Sequence, residues 1–216
     1  ATNYAFARQA GATHIVAHLT DYFYKGDEDG AKDQPLGNIE RGWGYAVEKE
    51  VWSTQELINL KREMQKYDLK LEALENISPA FWHDILLDGP KRVAQIKIVQ
   101  QLIRNMGEAG IPILGYNFAL AGVSGRTKGT YARGNAVAVG MEGISEAIET
   151  PIPNGMVWNM IYDLNAPAGF LETIAHEELI RRYESFISEI LPVAEKAGVK
   201  LALHPDDPPL KEVRQQ

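Results

Sequence analysis

The 216-residue chain contains no cysteine. That absence excludes disulfides, thiolate-ligated zinc and a cysteine nucleophile together. Long apolar runs are missing too. No stretch approaches the ~18 consecutive apolar residues that read as a membrane-spanning helix, and residues 1–10 lack the basic-then-apolar layout of a signal peptide. Positive charge is scarce: 22 Lys and Arg stand against 29 Asp and Glu, a formal net charge of -7. Without a dense Lys/Arg cluster there is no electrostatic footprint for nucleic acid. The chain does not begin with methionine, so a trimmed start is expected. What is present is 45% hydrophobic and 24% charged residues, enough to build a core and to exclude both disorder and a coiled coil. A soluble, cytoplasmic protein with neither nucleic-acid nor membrane partners is the expectation.

Short apolar runs of β type alternate with longer helix-type segments, which predicts parallel βαβ units rather than a sandwich. A helix over Tyr4 to Ala10, stopped by Gly11, precedes a strand over Ala12 to Leu19. Ser53 and Glu56 have capping-box spacing for a helix through Tyr67, followed by a strand over Leu69 to Glu75. The next helix, Pro90 to Ala109, places Val93, Ile96, Val99, Ile103 and Met106 on one face, with Gly110 as its stop. A third strand covers Ile111 to Phe118. The pattern recurs with a helix over Glu177 to Ala197 bearing Leu179, Tyr183, Phe186, Ile190, Leu191 and Ala194, then Gly198 and a strand over Val199 to His204. Between them, residues 119–170 form a Gly-rich excursion with a candidate strand at Met156 to Leu164. No Pro/Ser linker interrupts the chain, so a single domain over residues 1–216 is expected.

Each strand ends in polar side chains: His18 with Asp21 and Tyr22, Glu75 with Asn76, Tyr116 with Asn117, and His204 with Asp206 and Asp207. If the strands are parallel neighbours, these ends converge on one mouth, with imidazole, carboxylate and amide groups suited to a sugar-like ligand. His204, at the end of a buried strand, can offer a ring nitrogen to a divalent metal, or it can cap the strand beside a polar Asp206-Asp207 turn. His83 fits loop packing and substrate contact equally. Trp43 and Trp82 can wall a pocket or cover a core. Arg126 and Arg133 can clamp a carboxylate bidentately or stand in solvent. Lys70 and Glu72 fit an inward ion pair or an exposed edge. His14 reads as structural or surface, and His176 as a surface or capping residue at a helix start.

THIVAHL from Thr13, ENISP-x-F-W-H-D-I from Glu75, AGI-x-x-x-x-YNF from Ala109 and LALHPDDPP from Leu201 occur in this order along the chain. Together they resemble the metal-dependent D-mannonate dehydratase family of bacterial hexuronate catabolism, from about Asn3 to Pro209. The resemblance implies an α/β fold, a TIM (β/α)8 barrel of the xylose-isomerase-like type, of which about four to five of the eight strands are visible here. It implies dehydration of D-mannonate to 2-keto-3-deoxy-D-gluconate, with Mn2+ or Fe2+ as cofactor and a sugar acid as the small-molecule partner. His204 matches the family's first metal-binding histidine. His18, Asn76, Trp82, His83, Asn117, Arg126 and Asp206 fall in segments expected to contact substrate.

The family's remaining metal ligands, a Cys, a second His and an Asp, lie downstream of the HPDDPP segment, as do its acid/base Arg and Tyr. The catalytic groups are therefore expected beyond Gln216, and the family's first strand before the opening helix. An open half-barrel exposes strand edges, so self-association into a homo-oligomer is expected. A sugar isomerase or epimerase on the same barrel, and a non-catalytic sugar-binding module, are the competing readings. Only an acid substrate requires an Arg-type partner at C1, and Arg126 and Arg133 favour the acid.

Overall fold

A computed structural model describes residues 2–24, 42–47, 51–141, 150–205 and 207–216. Helix α1 (Thr2–Gln9) leads into strand β1 (His14–Ala17), and a two-residue strand β2 (Gly44–Tyr45) precedes α2 (Thr54–Gln65) and β3 (Lys70–Glu75). A short α3 (His83–Leu87) and the long α4 (Arg92–Ala109) lead to β4 (Ile113–Tyr116). Two hairpins follow, β5 (Arg126–Gly129) with β6 (Ala138–Met141) and β7 (Met156–Val157) with β8 (Met160–Ile161). Helix α5 (His176–Ala197) and strand β9 (Lys200–Leu203) complete the elements.

The main sheet has the order β1-β3-β4-β9, every neighbouring pair parallel. This is the mixed α/β architecture with a parallel sheet that the alternation of the sequence predicts. Helices α2, α4 and α5 contribute Leu57 and Met64, Ile96, Leu102, Ile103 and Met106, and Phe186, Ile190 and Ala194 to one core with Leu71, Leu74 and Leu114 of the sheet. Lys70 and Glu72 alternate with Leu71 on the other side of β3. There Glu72 Oε2 lies 2.7 Å from Lys70 Nζ and 4.0 Å from His14 Nε2. The Lys70 ammonium beside it holds the Glu72 carboxyl below its usual range, against a smaller desolvation effect.

Local chemistry sets the helix ends. Ser53 Oγ accepts from the Glu56 amide at 3.3 Å while Glu56 Oε2 accepts from the Ser53 amide at 2.7 Å, the reciprocal pair of a capping box. Gly110 and Gly198 end α4 and α5 in the left-handed region, φ 66° and 69°. Lys61 Nζ on α2 donates to the carbonyls of Ala109 and Gly110 at 2.6 and 2.9 Å, satisfying acceptors that the end of α4 leaves unpaired.

Three sequence expectations change. Val93 is 63% and Leu191 42% exposed. At 100° per residue Leu191 sits roughly 100°, and Val93 roughly 130–150°, from the centre of its helix's buried stripe, too far round to reach the sheet. The strand expected at Met156 to Leu164 is instead a hairpin, Val157 pairing with Met160 around a turn at Trp158 and Asn159. Both turn residues have positive φ, 51° and 59°, as a two-residue type I′ connection demands. Strand β8 also pairs in parallel with β2, so a small sheet β2-β8-β7 joins segments 116 positions apart. Among the described residues no helix is long and apolar enough to cross a membrane.

Candidate functional site

The four strand ends open into one cleft. Its base takes His18 and Tyr22 from beyond β1, Glu75 and Asn76 from the end of β3, and Asn117 from beyond β4. Its far side takes Arg126 from β5 and His204 and Asp207 from beyond β9. The β4–β9 ladder continues past the strands, the His204 amide donating to the Tyr116 carbonyl at 2.7 Å, which brings His204 level with Asn117. Asn76 adopts φ 64°, a left-handed conformation that Asn tolerates better than most residues, and its amide donates to the Gly115 carbonyl at 2.8 Å. The chain turns there, and the Asn76 Oδ1 accepts from Asn117 Nδ2 at 2.9 Å.

Tyr22 Oη lies 2.8 Å from His18 Nδ1, and His18 Nε2 lies 3.4 Å from Glu75 Oε2. Burial pushes the Tyr22 hydroxyl up to about 12; the Asn76 side chain's hydrogen bond pulls the other way and the Glu75 charge adds to the rise. Tyr22 therefore keeps its proton. A carboxylate only accepts, so a neutral His18 carries its hydrogen on Nε2 toward Glu75 and accepts from Tyr22 on Nδ1. Across the cleft, Arg126 Nη2 donates to Asp207 Oδ2 at 3.3 Å. Aromatic rings form the remaining wall: Trp158 packs edge-on against Tyr22 at 5.3 Å and Trp43 at 6.0 Å between centroids. Such surfaces suit the apolar C–H faces of a sugar chain.

The cleft volume is about 120 Å³, well below the roughly 300–1,000 Å³ of a closed small-molecule pocket. These residues form one wall of a site. Among the described residues no group of three His, Asp or Glu side chains is placed to hold a metal ion. His204 Nδ1 lies 2.6 Å from the Pro205 carbonyl, an acceptor that fixes the Nδ1–H tautomer and leaves the Nε2 lone pair free. One imidazole is a single ligand, short of the set a divalent ion needs.

Of the residues singled out from sequence, His18, Asn76, Asn117, Arg126 and His204 share this cleft. Trp82 and His83 do not line it. Trp82 is 9% exposed, donates from Nε1 to the Ile77 carbonyl at 2.7 Å, and walls a small apolar cavity with Ile85, Val99 and Phe186 beneath the cleft. His83 is 4% exposed; its ring stacks on Tyr162 at 4.0 Å and Nδ1 lies 2.8 Å from the Pro79 carbonyl. Both pack inward because the Ser78-capped turn at Pro79–Phe81 carries the chain down between α4 and the β7–β8 hairpin. Asp206 lies outside the described residues. Asp21 accepts from the Phe23 amide at 3.2 Å, and Arg133 is exposed, neither of them lining the cleft. Tyr22, Glu75 and Asp207, which the sequence also marks at strand ends, line it as well, together with Trp43. Trp158 had no local signal.

Comparison with known proteins bears on this geometry. The D-mannonate dehydratase (UxuA) family model matches residues 7–213. A mannonate dehydratase of Thermotoga neapolitana is 29% identical over 175 residues, 74% of this chain and 48% of that protein. One from Streptococcus suis is 30% identical over 175 residues, covering 74% of this chain and 45% of its own length. The crystal structure of mannonate dehydratase from Streptococcus suis serotype 2 superposes with a TM-score of 0.55 at 26% identity, covering 92% of this chain and 54% of that one. The chain thus spans about half the length of the curated relatives it matches. With a family match that runs through all four strands of the main sheet and the cleft at their ends, this chain belongs to the D-mannonate dehydratase family.

Proposed function

We propose that the protein is a hydro-lyase that converts D-mannonate to 2-keto-3-deoxy-D-gluconate in hexuronate catabolism, and that its four parallel strands are half of a (β/α)8 barrel. The carrying observation is the cleft itself: a guanidinium on one side, held by Asp207, and a hydrogen-bonded carboxylate, imidazole and pair of amides on the other. Arg126 pairs with the C1 carboxylate in the fork geometry that planar guanidinium and carboxylate groups share. Asn76, Asn117 and His18 with its partners orient the hydroxyl-bearing carbons, and Trp43 and Trp158 exclude water from one face. Mn2+ or Fe2+ is part of the proposal, with His204 as its single ligand among the described residues. Such an ion supplies Lewis acidity toward the substrate oxygens.

The test is formation of the keto acid from D-mannonate by the purified full-length protein, after metal removal and again after Mn2+ addition. Metal-dependent product formation is expected, with Arg126→Lys raising KM more than it lowers kcat. No keto acid under either condition would refute the dehydratase reading.

A further inference from the structure

The hydrogen bonds at the base of the cleft run one way. Asn117 Nδ2 donates to Asn76 Oδ1, the Asn76 side chain hydrogen-bonds the Tyr22 hydroxyl, Tyr22 donates to His18 Nδ1, and His18 Nε2 faces Glu75 Oε2. Such a chain ends in acceptors at both extremities. At one end Asn117 Oδ1 is buried without a hydrogen-bond partner among the described residues. At the other, Glu75 is 26% exposed in its side chain, and its Oε1 makes no hydrogen bond among the described residues. One hydrogen of each Asn amide, the Tyr22 hydroxyl hydrogen and the His18 ring hydrogen are used within the row, and at its Glu75 end the row presents only acceptors. That end has nothing to offer a ligand carboxylate or carbonyl, and the Glu75 charge repels an anion. What the Glu75 end can bind is O–H.

We infer that Glu75, oriented through His18 and Tyr22, is a specificity-determining residue that reads hydroxyl groups and fixes which way round a polyhydroxy acid lies. The carboxylate goes to Arg126 and the hydroxyl-bearing tail to Glu75 and Asn117. This rests on the sugar-acid reading of the cleft and deepens it: the substrate class is a monocarboxylate with a free terminal hydroxyl. The matching aldarate, whose far end is a second carboxylate, is rejected. Tyr22 is a positioning residue, since it acts on the ligand through the orientation of His18.

Direct calorimetric titration of the full-length protein with D-mannonate, the corresponding aldarate and the neutral hexitol tests this. The wild type is expected to bind the hexonate roughly tenfold more tightly than the aldarate, the scale of one like-charge contact in a partly solvated cleft. Glu75→Gln, which removes the charge and adds a donor, should bring the two within about threefold. Tyr22→Phe keeps the ring against Trp158 and should weaken hexonate binding roughly three- to tenfold, the scale of one disturbed hydrogen bond, while leaving acetate binding unchanged. If Glu75→Gln leaves the hexonate-to-aldarate ratio untouched, or if none of the three ligands binds, the inference is overturned. Hexitol binding that is weakened by Glu75→Gln, with no hexonate binding, would keep the hydroxyl-reading row and discard the sugar-acid reading.

Discussion

Two glycines with nearly the same backbone angle provide a controlled experiment on the cleft wall. Gly122 has φ +67° and Gly198 φ +69°. A Cβ at residue 198 meets nothing within 4 Å, whereas at residue 122 it would lie 2.8 and 2.9 Å from the backbone of Trp158 and 3.0 Å from Asn159 Nδ2. Alanine at either site carries the left-handed cost of about 1–2 kcal/mol. Only at residue 122 is there a steric term as well, and because the obstructing atoms are backbone it adds about 1–3 kcal/mol. For a chain of this size each kcal/mol is worth about 2–4 °C in Tm. Gly198→Ala should therefore lower Tm by roughly 2–8 °C, and Gly122→Ala by at least a few degrees more. Thermal unfolding followed by circular dichroism gives both numbers, and tryptophan fluorescence reports whether Trp158 has shifted. Equal losses for the two variants would show that the β7–β8 turn does not rest against residue 122, and the aromatic wall as described would be wrong.

Other outcomes follow from packing and charge. Leu102, fully buried between α4 and its neighbours, should cost about 2–5 kcal/mol as Leu102→Ala in urea titration, and a loss under 1 kcal/mol would contradict the core assignment. Ser53→Ala removes the capping box of α2 and should destabilise by about 1 kcal/mol, with Ser53→Asp restoring most of it. Glu178 near the start of α5 is held down to about 2 by hydrogen bonds from Arg181 and Arg182. A depressed carboxyl adds stability above its unfolded value of 4.5 and loses it as pH falls through about 2. Glu178→Gln should therefore be less stable than wild type at pH 7, with the gap closing between pH 4.5 and 2; a gap independent of pH would refute the ion-pair account.

What sequence could reveal here divides by range. The order of strands and helices was legible because period, capping residues and Gly stops are local, as Ser53 with Glu56 and Gly198 illustrate. The shared cleft was legible one step further out, since parallel neighbouring strands bring His18, Asn76, Asn117 and His204 together whatever the loops do. Which of their two readings Trp82 and His83 take was not legible, because nothing local says which way a turn points its rings; the direction is set by Gln95, Tyr162 and the Ile77 carbonyl, contacts 5 to 79 positions away. Trp158 was invisible for the same reason. Its place comes from a left-handed turn whose neighbour β2 lies more than a hundred residues earlier.

That small sheet has a further consequence for how the cleft behaves in time. The Trp43 amide donates to the Asn159 carbonyl, the Ala46 amide to the Ile161 carbonyl, and the Trp158 amide to the Leu120 carbonyl. Three segments from distant parts of the chain are thus laced into one cooperative opening unit, whose amides should exchange with solvent deuterium at a common rate. The aromatic wall is then present whole or absent whole, and a ligand that stacks on Trp158 also tightens the segment carrying Trp43.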